Sequence, residues 1–360
     1  MNYSISFLST TMMSFTFTKC FCNIEKCKIN KAFRSPVIFG STGFLKVYGS
    51  SFCKILSNCL EIENNYIGLV YSGNGITLSS SCLIKGCVFK DINGDAIKCE
   101  VGSFSFIFEK CDFLRCFRAL YIITNHINSS YLCINKCGAI NYYNSIYLKS
   151  TTANMFFSMI TIHNCPNDKK NPFTDDNCQL TGRISAISCL NSTNNIASDS
   201  DAIMIYQAKN DKTFRWFTIF NSTGKRSIEL CHIEGTTIME YGNIINCINN
   251  HSIGITNHTQ LLILSNIISF QTGYCLQIKS NVNYIVSQLY SNSNSNQIVG
   301  VITILSPIST FHITHLNTHQ CAGVNFTKRI ETMPLYPRKY LMNLFTHIYI
   351  TCLVQVPGTG

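Results

Sequence analysis

A chain of 360 residues that is 46% hydrophobic and only 13% charged is too apolar and too weakly charged to be disordered. Its formal net charge of +10 is spread along the chain, +6 over residues 1–180 and +4 over the rest, which permits polyanion binding without a basic tail. No run of about 18 apolar residues occurs, so no transmembrane segment is expected, and no nucleic-acid partner is indicated.

The first residues, MNYSISFLSTTMMSFTFT, carry no charged leader and no continuous apolar stretch. Phe15 and Phe17 alternate with Ser14, Thr16 and Thr18, the pattern of a strand. With no leader in view, a reducing cytosol and free thiols are the default, and a surface or secreted protein would need a longer N-terminus.

Along the chain one local pattern recurs, an apolar anchor with a small or apolar residue two places before it and three places after. Its instances are Ile24, Phe52, Phe89, Phe113, Ile134, Ile162, Leu190, Ile219, Ile244, Ile267, Leu289 and Leu316. A second anchor follows, at Ile38, Leu69, Ile97, Leu120, Ile146, Ile203, Ile228, Ile253, Leu276, Ile302 and Val324. The gap from second anchor to next first anchor is 13 to 16 residues in nine of ten cases, whereas the gap from first to second ranges from 7 to 17.

One part of each unit is thus held to length while the other varies, as in a stacked solenoid whose strands must register with the coil below. Period-two alternation and β-branched residues make the units strands. The expectation is an all-β, right-handed parallel β-helix of about twelve coils over residues 1–330, handed by the crossover rule. Residues 331–360 form a tail or cap over the open end. CPNDKKNPFTDDNC, residues 165–178, interrupts the series where no second anchor is found and reads as an insertion loop.

These repeats, with motifs such as CDFLRC and DAIKCE over about residues 15–327, resemble the right-handed parallel β-helix proteins of the pectin-lyase-like superfamily. The nearest resemblance is to Cys- and Asn-rich β-helix proteins of parasitic protists. What the resemblance implies is the fold; lyases, hydrolases, adhesins and scaffolds all use it, so function stays open.

Twenty cysteines invite chemistry. Cys27, Cys116, Cys137, Cys165 and Cys247 fall three places after an anchor, and Cys22, Cys87 and Cys111 two places before one. Ile, Phe or Ser fill those places in other coils, so the cysteines read as small packing residues. No zinc-ribbon spacing occurs, and neither metal nor cofactor is expected.

Enzymes of the resembled superfamily work through clustered acids. Here Asp175 with Asp176 and Asp199 with Asp201, with Arg183 between the pairs, are the only groupings, and they read as a solvated insertion and a turn. His312, His315 and His319 near Cys321 share no strand face, since 312 and 315 differ by an odd number. Two places after successive first anchors stand Lys26, Lys54, Asp91, Arg115 and Lys136, then neutral residues, a short basic ladder. The expected function is a non-catalytic binding or structural scaffold whose Lys26, Lys54, Arg115 and Lys136 meet an anionic glycan or a protein surface. A carbohydrate-active enzyme or a surface adhesin are the alternatives.

Overall fold

The computed structural model describes residues 2–6, 9–10, 15–17, 20–30, 38–40, 43–56, 59–62, 80–102, 104–138, 144–167, 177–258, 260–270, 272, 274–279, 283–291, 297–298 and 302–304. Among them there is no helix, and the strands pair in parallel with the strand one coil away. The architecture is a parallel β-solenoid, as the repeat predicts.

Three sheets wrap one apolar core. In the first, Ile24, Val47, Ile84 and Phe108 stack inward, and the series runs on through Phe157, Ile187, Phe214, Met239 and Leu264. The second sheet stacks Ile29, Phe52, Phe89, Phe113, Ile134 and Ile162. Its Phe52, Phe89 and Phe113 rings lie nearly parallel with centroids 5.1 and 5.0 Å apart. Leu60, Ile97, Leu120, Ile146, Cys178, Ile203, Ile228, Ile253 and Leu276 line the third.

Between sheets the chain turns on single residues in the left-handed region. The corner from first to second sheet is made by Lys26, Gly49, Gly86, Lys110, Tyr131, Met159, Cys189, Trp216, Tyr241 and Asn266. Lys54, Asp91, Arg115, Lys136, Asn164, Asn194, Asn221 and Asn246, with φ of 50 to 56°, leave the second sheet. Left-handed backbone costs a non-glycine residue about 1–2 kcal/mol. A fixed hydrogen bond to the next coil helps to offset it: the Arg115, Lys136 and Asn164 N–H groups donate to the carbonyls of Asn135, His163 and Thr193 at 3.0, 2.9 and 3.0 Å.

Register corrects several anchors. Ile24 belongs to the first sheet, and the equivalent of Phe52 is Ile29. Leu190, Ile267 and Leu289 stand two residues short, because Ser192, Ser269 and Ser291 occupy the anchor site itself. Ile302 likewise pairs in the first sheet, opposite Tyr284. Leu69, Leu316 and Val324 lie outside the described residues; Leu60 takes the place expected of Leu69. The missing second anchor near residue 178 is Cys178, paired to Ile146 and Ile203. Residues 168–176 of the expected insertion, and the whole of 331–360, also lie outside.

Core volume is shared between coils. Phe217 stands opposite Gly242 in the second sheet, and a Cβ on Gly242 would come within 2.0 Å of the Phe217 ring. Gly242→Ala is therefore expected to cost ~1–3 kcal/mol by overpacking, and Phe217→Leu in the same chain to recover most of it. Urea midpoints of the two single variants and the double variant measure this coupling directly.

Candidate functional site

The cationic ladder is partly assembled. Lys54, Arg115 and Lys136 occupy one corner column, leaving the second sheet in different coils about 4.8 Å apart per step, whereas Lys26 turns the other corner and does not join them. Asp91 sits between Lys54 and Arg115. Arg115 clamps it through Nε to Oδ1 at 2.5 Å and Nη2 to Oδ2 at 3.0 Å. This bond, with the charges of Arg115, Lys90 and Lys54, holds the Asp91 carboxyl below the usual range. Lys90, on the outward side of the preceding strand, is a member that the sequence pattern missed. Its signal was the outward parity of residue 90 beside the corner. Among the described residues of this corner, Lys54, Lys90, Arg115 and Lys136 stand with Asp91 as the one acid, which leaves the corner positive.

From Asn164 to Asn246 the described residues of the same corner are neutral, and the Asn221 side-chain amide donates to Asn194 Oδ1 at 2.7 Å.

A second charged cluster lies on the outward side of the third sheet. Arg118 grips Asp95 through Nε and Nη2 at 2.8 and 2.7 Å and lies over the Tyr121 ring, 4.0 Å from its centroid. Further along, the Arg226 guanidinium bonds Asp201 at 3.4 Å and, more closely, Glu229. The Arg226 side chain occupies the space left open by Gly254, where a Cβ would meet its Cδ at 2.2 Å. Asp201, Arg226 and Glu229 are all buried. Arg183, expected beside the acids, instead donates to the Thr152 carbonyl at 3.1 Å. The Asp199 side chain, with Asp175 and Asp176 and the histidines 312, 315 and 319, falls outside what the structure describes.

The cysteines follow the corners. Cys27, Cys87 and Cys111 come directly after the first corner, Cys116, Cys137, Cys165 and Cys247 directly after the second. Each Sγ–H points inward and hydrogen-bonds the carbonyl two residues back, as Cys111 does to Glu109 at 3.5 Å and Cys165 to His163 at 3.5 Å. Ser50 and Ser222 make the same bond with a hydroxyl. This explains the exchange of Cys with Ser: the site asks for a small donor as well as for volume. Cys22 is different, paired in the first sheet opposite Leu45. Burial holds the Cys59, Cys111, Cys137, Cys165 and Cys247 thiols above their ordinary range, which suppresses the reactive thiolate.

Lys212 and His258 are two further buried titratable groups. The Lys212 ammonium donates to the Glu234 carbonyl at 2.7 Å, and His258 Nε2 lies 3.0 Å from Thr237 Oγ1. Burial pulls Lys212 down to about 8 and His258 down to about 4, the latter helped by the Lys212 charge.

The chain matches no family model, no curated protein and no solved structure. Among the described residues no helix is long and apolar enough to cross a membrane.

Two outcomes are expected. Arg226→Met leaves Asp201 and Glu229 buried without their cation and should destabilise by ~3–5 kcal/mol, whereas Arg115→Met at the exposed edge should cost under about 1 kcal/mol; chemical denaturation of both variants decides. His258 and Lys212 each titrate lower in the folded chain than their ordinary 6.5 and 10.5. The unfolded chain then binds more protons in each window, so stability should fall as pH drops from 6.5 towards 4 and rise as pH climbs from 8 to 10.5. Unfolding free energy against pH should lose the acid slope in His258→Gln and the alkaline slope in Lys212→Met.

Proposed function

We propose that this chain is a non-catalytic, elongated β-helix scaffold of the pectin-lyase-like kind, with its recognition surface on the cationic corner of the N-terminal coils. The single observation that carries this reading is the column of Lys54, Arg115 and Lys136, reinforced by Lys90, against one carboxylate, Asp91. An anionic glycan suits it because cations one or two coils apart, about 4.8 or 9.6 Å, can meet a polymer of repeated anions. The non-catalytic part rests on the acids: Asp201 and Glu229, two carboxylates brought onto one guanidinium, both bind Arg226 and are buried.

Heparin serves as the probe. Lys54→Glu, Arg115→Glu and Lys136→Glu together should weaken heparin binding by at least ~10-fold at physiological salt and lower the salt needed for elution. Lys26→Glu, at the separate corner, should leave binding unchanged. Equal loss in both variants, or in neither, refutes the assignment of this edge.

A further inference from the structure

We infer that Cys116, Cys137 and Cys165 form a ladder of thiols that binds soft monovalent cations of the Cu(I) class, one between each neighbouring pair of sulfurs. The three residues stand 21 and 28 apart in sequence, too far for a local metal motif, and the fold brings them together. Leu114, Asn135 and His163 are register partners in successive coils, and each is followed by one left-handed residue and then by the cysteine. All three cysteines face the core, and none is more than 2% exposed.

Their sulfurs are held alike. Cys116 Sγ lies 3.8 Å from the Leu114 carbonyl oxygen and 3.6 Å from that of Phe89, one coil back. Cys165 Sγ lies 3.5 Å from the His163 oxygen and 3.8 Å from that of Ile134, the same two places in its own coil and the one before. Cys137 Sγ is 3.5 Å from the Asn135 oxygen and accepts the Cys116 N–H at 3.4 Å. One rotamer repeated in stacked coils sets successive sulfurs one coil apart, about 4.8 Å.

That separation selects the ligand. Two metal–thiolate bonds of about 2.3 Å laid end to end span about 4.6 Å, so a linear two-coordinate ion fits between rungs. A disulfide does not fit, because it needs Cβ atoms about 3.5–4.5 Å apart, closer than stacked coils come. Among the described residues no group of three or more His, Cys, Asp or Glu converges, which leaves zinc without its four ligands. Thiolate softness then favours Cu(I), a d10 ion that accepts two sulfurs in line. The apolar core favours a neutral product. For each ion bound, one S–H bond breaks, its proton leaves to solvent, the sulfur bonds copper, and the metal stays Cu(I). Two ions on three rungs thus displace two protons and leave one thiol protonated. Burial holds the Cys137 and Cys165 thiols above their ordinary range, so each ion displaces a tightly held proton and its affinity should rise ~10-fold per pH unit.

The test uses the full chain, reduced and free of oxygen, titrated with Cu(I) in competition with the chromophoric chelator bicinchoninate. Serine already fills the equivalent place at Ser222 and bonds the carbonyl two residues back, so serine variants keep the corner. Cys137→Ser should bind about two fewer ions than the parent chain, and Cys116→Ser and Cys165→Ser about one fewer each. Cys247→Ser, whose neighbour one coil back is Ser222, should bind as many as the parent. The two end-rung variants check the count without disturbing the middle rung. Equal uptake by the ladder variants and Cys247→Ser, or loss of the β-sheet circular dichroism of the parent chain on loading, overturns the inference.

Discussion

The left-handed residue at each corner is the constraint on which the solenoid depends. It turns the chain from one sheet to the next within a single residue, and the residue after it must then point inward with its side chain against the turn. That geometry sets the coil's cross-section and dictates the small donor, Cys or Ser, that binds the carbonyl two residues back at Cys111, Cys165, Ser50 and Ser222. Strand length, register and the inward stacks follow, because a coil that turns in the same place as its neighbour can pair with it along its whole length.

The fold was legible because the third sheet keeps its anchors apolar in almost every coil, from Ile97 to Leu276. The second sheet was harder to read where it departs from that rule. At Ser192 and Ser269 a buried hydroxyl replaces the hydrocarbon: Asn195 Nδ2 donates to Ser192, and Ser252 and Ser269 share a bond of 2.7 Å. A pattern built on hydrophobicity slides to Leu190 or Ile267 instead, which puts Ser192 and Ser269 among the neutral residues that follow the basic ladder. Lys26 entered it in the same way, through Ile24.

The buried ion pairs had a signal that hydrophobic periodicity passes over. DAIKCE is followed one coil later by RALYII, and DAIMIY by RSIELC, so an acid two places before an anchor meets an arginine at the same place in the next coil. The pairings Asp95 with Arg118 and Asp201 with Arg226 are that pattern folded. Charge placed on the third sheet is thereby neutralised coil against coil, while at the second corner Asp91 is the one acid among the described corner residues. The difference separates charge that holds coils together from charge left to face solvent.

The thiols after the corners have one more consequence. At Cys111, Cys137, Cys165 and Cys247 the thiol of a closed coil is buried, bonded to a carbonyl and held above its ordinary range. Once that coil opens, the same group returns to ordinary acidity and meets oxidants. Oxidation of an opened coil replaces a small apolar donor with a larger polar group that no longer fits the corner, so the coil stays open until the thiol is restored.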